Sequence, residues 1–332
     1  MLIKNKIYQP IILTIPEDTS LFSVLNPDEK MTSKIIMENF IDFYCFKVPT
    51  HNFVYFRFEN YMDYSYIEGI RQAFIPIDML KNYFDALQTI FHFLANGYVL
   101  SMPIVKKNIS FYKQSEGMHP MFIYGADTSR QVLFCKDFSG HLFAEFEASF
   151  EDMKNSLSNY DMANLRALDG LLAFRMDDKA SREIEYSKVY SEFHKLRTGY
   201  ASANDGYGLG AIDLYVNRVV QYPCEVSPID RWYVIANYLR ESAKLMRMRY
   251  CILEKEFQEK RIEKPLDTLL LKKLIQDTDI LFFTISKLQM KGSIASSEII
   301  DRLCTLTNIC RNDFQMFAEY ICEVVCNTMS LK

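Results

Sequence analysis

The chain has 332 residues, 49% of them hydrophobic and 24% charged, which suits a folded protein with two domains rather than one and leaves no room for long disordered stretches. Its formal charge of −4 is spread without a basic block, so the positive footprint that nucleic-acid binding requires is missing. No apolar run approaches the ~18–20 residues that span a bilayer, and the N-terminal apolar patch, broken by Pro10 and Pro16, is too short for a signal peptide. A cytoplasmic protein with neither nucleic acid nor membrane as partner is expected.

In chain order, "FIDFYCFKV" (40–48) and "NFVYFRFEN" (52–60) are rich in aromatic and β-branched residues and flank the breaker "PTH". They predict a β-hairpin. In "DMLKNYFDALQTIFHFLANG" (78–97) Leu80, Tyr83, Phe84, Leu87, Ile90, Phe91 and Leu94 recur at helical spacing and Gly97 offers a stop. "YVLSMPIV" (98–105) reads as a strand, "GMHPMFIYGADTSRQVLFCKDFSG" (117–140) as two strands joined by a polar turn, and "HLFAEFEAS" (141–149) as another. Residues 1–155 therefore read as an α+β domain with a helix on an antiparallel sheet.

Near residue 155 the period changes. "SFEDMKNSLSNYDMANLRALDGLLAF", "SREIEYSKVYSEFHKLRTGY", the long stretch 227–264 with Ser227 as cap and Pro228 after it, and the two apolar-periodic segments up to the C-terminus all read as helices. A helical domain over 156–332 is expected. It is interrupted by "TGYASANDGYGLGAIDLYVNRV" (198–219), where glycines precede an amphipathic helix. That loop is either a connector or a contact for a phosphate, and its spacing fits neither the P-loop nor the dinucleotide fingerprint.

The eight cysteines show no paired spacing of a zinc site, and Cys304/Cys310 and Cys322/Cys326 lie in apolar helical surroundings. Reduced, buried thiols are expected. His51, His92, His141 and His194 share no metal-ligand spacing, so neither a metal nor a cofactor is expected.

His119 opens one strand and Asp137 ends the next, eighteen residues on. Across an antiparallel hairpin this sets an imidazole beside a carboxylate, which fixes the tautomer and leaves the other ring nitrogen as a base. Any hairpin with polar ends supplies the same spacing. A loop histidine and a strand-end carboxylate are the competing reading. The aromatic residues between 42 and 66 build a core first and a binding cleft second.

The stretch "HPMFIYGADTSRQVLFCKDFSGHLFAEFEASFEDMKNSL" resembles the His-containing half of the papain-like, peptidase C39-like domains, and within them the butirosin biosynthesis protein H N-terminal-like family. The His at a strand start, the "IYGAD" turn, the acidic residue closing the second strand and the strand leading into "SFEDM" carry the likeness. "YGLGAIDLYVNRV" (207–219) and the following "RWYVIANYLRESAKLMRMRYCILE" are similar to the helical remainder of these proteins. The resemblance implies an acyl-transfer fold, acting on an acyl or peptidyl carrier protein or another assembly-line partner of nonribosomal peptide or polyketide biosynthesis, or on a peptide or small-molecule substrate. It makes His119 the base and Asp137 its orienter. The family's nucleophile is a Cys opening the helix near "PEDTSLFSVL" (16–25), where this chain has Thr19 and Ser20 and no Cys before Cys45. Ser20 is a hydroxyl nucleophile or a helix N-cap. Cys45 and Cys135 are strand cysteines within reach of His119 or inert core thiols. Two classes stay open: an acyl-transferring, amide-bond-forming enzyme, and a degenerate papain-like accessory protein that binds without turnover.

Overall fold

The structure, a computed structural model of the chain, describes all residues except 14–15, 48–53, 60–62, 83, 114, 140–141, 162–168, 222–227, 260–266, 292–295 and 331–332. In chain order come strand β1 (Leu2–Lys4), helices α1 (Pro16–Phe22) and α2 (Lys30–Glu38), and strands β2 (Phe43–Lys47), β3 (Val54–Phe58) and β4 (Ile70–Pro76). Then follow α3 (Ile77–Asn82), α4 (Ala86–Ala95), β5 (Val99–Val105), β6 (Met118–Asp127), β7 (Val132–Ser139), β8 (Leu142–Ser149), α5 (Phe150–Ser158) and β9 (Gly170–Met176). The rest of the chain holds α6 (Tyr186–Thr198), β10 (Asp205–Tyr207), α7 (Leu209–Gln221), α8 (Pro228–Glu259), α9 (Thr268–Met290) and α10 (Ser297–Ser330).

These elements form two compact units, one of residues 1–29 and 62–181, the other of residues 30–61 and 182–332. The antiparallel sheet lies in the N-terminal part and the long helices in the C-terminal part, as an α+β reading expects. The change of period at residue 155 does not separate the units. Strand pairing is the reason, because it joins residues far apart in sequence: β9, inside the segment expected to be helical, pairs with β4 and β5. Its residues Gly170–Phe174 are all buried, and a fully buried apolar run carries no period that tells strand from helix. Nor is the second unit all helical, since β2, β3 and β10 form a three-stranded antiparallel sheet in it.

The sheet of the first unit runs β4-β9-β5-β6-β7-β8, with β1 paired to the far end of β6. The close approach of β1 needs Gly125. A Cβ there would stand 2.5 Å from the Ile3 carbonyl oxygen and 2.9 Å from the Phe134 ring. Alternation along the strands divides the sheet into two faces. One carries Leu100, Met102, Ile104, Met121, Ile123, Cys135, Leu171 and Ala173, and is covered by Ile90 and Leu94 of α4 and Met153 and Leu157 of α5. The other carries Phe122, Tyr124 and Phe174, whose rings lie against one another.

The helix expected over 78–97 is two helices. Asp85 starts the second by accepting a hydrogen bond from the Gln88 N–H at 3.0 Å, and Phe84 before it is exposed rather than on an apolar face. Ser149 and Asp152 close a capping box at the start of α5. Ser227, Tyr83, His51 and His141 lie outside the described residues.

In the second unit Phe40, two residues past the end of α2, takes a left-handed φ of 58°. The fully buried guanidinium of Arg249, from α8, donates to the carbonyls of Ile36, Asn39 and Phe40 at 2.7–2.9 Å. Those are carbonyls that the end of a helix leaves without intrahelical partners. No helix among the described residues is long and apolar enough to cross a membrane.

Candidate functional site

His119 lies near the start of β6, directly opposite Ile104 of β5. Ile123 of β6 opposes Cys135 of β7, so the two-residue period carries His119 and Asp137 onto the face covered by α4 and α5. There the imidazole Nε2 stands 3.1 Å from both carboxylate oxygens of Asp137. Asp137 is 1% exposed and His119 28%. A buried carboxylate thus orients a ring that is partly open to solvent.

Two further donors hold the carboxylate. The Phe138 N–H donates to Oδ1 at 2.7 Å, and the Tyr112 hydroxyl donates to Oδ2. Burial, and then the neighbouring Asp137 charge, push the Tyr112 phenol well above its ordinary value. It therefore stays protonated and remains a donor. Its ring also stands edge-on to the His119 imidazole, with centroids 5.9 Å apart. Tyr112 reaches this place through two single 3₁₀ turns, Lys106–Asn108 and Ser110–Tyr112, which fold the β5–β6 connection back over the strand ends. Phe111 beside it stacks on Phe146 of β8 at 3.8 Å. Sequence reasoning missed Tyr112, because no spacing rule links a residue in such a connection to a carboxylate 25 positions on; the aromatic pair "FY" between two lysines was the one local signal.

With Nε2 bonded to a carboxylate, the proton of neutral imidazole sits on Nε2 and the Nδ1 lone pair is left over. Among the described residues nothing hydrogen-bonds Nδ1. The arrangement can take a proton from a group that approaches the open edge of the ring.

Among the described residues the structure brings no ready nucleophile to this pair. Ser20 is the fifth residue of α1, inside the helix and 1% exposed, and so is not its N-cap. Helix α1 belongs with the opposite face of the sheet: the Tyr64 hydroxyl donates to Asp18 of α1 at 3.4 Å, and the Tyr64 ring packs on Phe174, which in turn lies against Phe122. The sheet itself stands between α1 and the face that holds His119. Cys135 does share the face of Asp137, two residues before it, but it is fully buried and burial pushes its thiol well up. Cys45 belongs to the second unit, where burial pushes it up to about 12. Neither is a ready thiolate. The seven cysteines among the described residues are free thiols, and one of them, Cys251, is exposed on α8 instead of buried.

The glycine loop at 198–219 is a close-packed turn. A Cβ on Gly199 would stand 2.1 Å from the Tyr207 carbonyl oxygen, and one on Gly210 2.3 Å from the Tyr200 carbonyl carbon. These contacts account for its glycines as packing around β10 and the start of α7. Among the described residues no three His, Cys, Asp or Glu side chains converge as metal ligands would.

No protein-family model and no curated protein matches this chain.

Proposed function

We propose that the chain is a papain-like, peptidase C39-like protein of assembly-line biosynthesis that transfers an acyl group from a carrier-bound thioester directly to an acceptor amine. The observation that carries this reading is the His119–Asp137–Tyr112 cluster, which has an oriented base and, among the described residues, no ready nucleophile on its face of the sheet. His119 takes a proton from the amine through Nδ1 as the amine nitrogen bonds to the thioester carbonyl carbon. The carbon–sulfur bond then breaks, and the departing thiolate receives the proton. Asp137 stabilises the imidazolium through Nε2, and Tyr112 holds Asp137 in place. No covalent acyl-enzyme forms.

A second reading is favoured by the number of donors on Asp137. A carboxylate held by an imidazole, a phenol and a backbone N–H serves equally as a fixed structural clamp, in a degenerate accessory protein that binds its carrier or peptide without turnover. The His119→Ala variant separates the two. A base-catalysed transferase loses roughly 10²–10⁴-fold in turnover, whereas an accessory protein has no turnover to lose and keeps its affinity for the carrier.

A further inference from the structure

The connection between β5 and β6 carries more than Tyr112. The stretch "PIVKKNISFYKQSEGMHP" (103–120) contains Lys106, Lys107 and Lys113 against the single acid Glu116, in a chain whose net charge is −4. Among the described residues none of the three lysines forms an ion pair. Lys107 and Lys113 lie six positions apart, yet the two 3₁₀ turns bring both to one cavity of about 560 Å³, together with Asn108, Ile109, Ser110 and Asp152. The turn that ends this segment is fixed by the Lys113 N–H donating to the Ser110 carbonyl at 3.1 Å, with Lys113 in a left-handed conformation.

The polar groups of the cavity differ in what they have left to offer. Asp152 accepts from the Ser149 N–H at 3.3 Å within its capping box, so its charge is directed at a helix N-terminus. The Asn108 side-chain amide donates to the Asn155 carbonyl at 3.0 Å. The ammonium groups of Lys107 and Lys113 and the hydroxyl of Ser110 remain as donors. Separate point-charge donors suit a tetrahedral oxyanion, which can share its oxygens among them. A planar carboxylate is better matched by a guanidinium fork. The place of the cavity narrows the choice further. Lys113 directly follows Tyr112, whose ring stands 5.9 Å from the imidazole of His119, so an anion held here anchors a flexible arm whose far end can reach Nδ1.

We propose that the Lys107–Ser110–Lys113 cavity binds the phosphate of a phosphopantetheine-bearing acyl donor, an inference that rests on the acyl-transfer reading above. The test is calorimetric titration of the full chain with phosphopantetheine, with pantetheine and with inorganic phosphate, for the wild type, a Lys107→Ala/Lys113→Ala double variant and Lys179→Ala, an exposed lysine of the same unit, as control. Phosphopantetheine should bind the wild type about tenfold or more tighter than pantetheine, with the advantage weakening as salt is raised. The double variant should lose that advantage and the control should keep it. Equal binding of the two arms to the wild type, or an advantage that survives in the double variant, would overturn the proposal. So would inorganic phosphate binding as tightly as phosphopantetheine, which would make this a site for the free ion. Binding is read here without turnover, so the two readings fail separately: a phosphate preference in a chain that transfers nothing upholds the site and removes the function.

Discussion

The imidazole of His119 and the carboxylate of Asp137 meet across two neighbouring antiparallel strands, with Nε2 3.1 Å from each carboxylate oxygen. The Tyr112 phenol holds the same carboxylate from a third element. If the cluster works as base, orienter and support, Tyr112→Phe should lower kcat by about tenfold and leave KM within about twofold, because the phenol acts on Asp137 and not on the substrate. A KM rise at constant kcat would instead place Tyr112 in contact with substrate. Steady-state kinetics on the variant distinguishes the two.

Side-chain alternation sets α1 and His119 on opposite faces of the sheet, and Ser20→Ala should therefore leave turnover within about twofold of the wild type. Cys135→Ala should do the same while costing about 1 kcal/mol of stability for the buried sulfur. A loss of turnover of 10²-fold or more in Ser20→Ala, in protein that melts like the wild type, would show that α1 reaches the site.

The second unit offers a pH test of its own. Asp42 precedes β2 and is 3% exposed, with Oδ1 accepting the Phe43 N–H at 2.8 Å. Burial, and then the Glu59 carboxylate, push its carboxyl up from 3.8 to about 7. Well below pH 3.8 the group is protonated in the folded and the unfolded chain alike. As the pH rises towards 7 the unfolded chain ionises first, so the stability that the neutral carboxyl supports is lost across that window. Asp42→Asn should remove this dependence and raise stability above pH 7 by on the order of 3 kcal/mol. Denaturant titrations across the range read the slope, and an unchanged slope in the variant would mean that Asp42 is ionised throughout.

Arg249 meets the carbonyls of Ile36, Asn39 and Phe40, and among the described residues no carboxylate pairs with it. Arg249→Met keeps most of the side-chain volume but strips donors from three buried carbonyls, at about 1–3 kcal/mol for each one left unsatisfied. We expect a loss of about 3–6 kcal/mol by chemical denaturation. A loss below about 1 kcal/mol would mean that water or a neighbouring side chain takes the place of the guanidinium.

The legible part of the fold was what short-range pattern encodes. The hairpin of Phe43–Lys47 and Val54–Phe58 was visible in its aromatic strands, and the pairing of His119 with Asp137 in the length of one turn. What stayed hidden was set by distant contacts. "GLLAFRM" became a strand because β4 and β5 flank it, and residues 30–61 joined the second unit through β10 and α8. Tyr112 was out of reach for the same reason, since its place depends on how two 3₁₀ turns fold back over β8. Ser20 looked like a cap or a nucleophile only while the start of its helix was unknown.

The most direct test of the central claim is intact-protein mass spectrometry during turnover of an acyl-thioester carrier mimic with an amine acceptor. We expect amide product to accumulate with no acyl adduct on the wild-type chain, and to disappear in His119→Ala. An acyl adduct on the wild type that is lost in Ser20→Ala, Cys45→Ala or Cys135→Ala would contradict direct transfer and restore a covalent nucleophile, and the absence of any product would leave the accessory-protein reading.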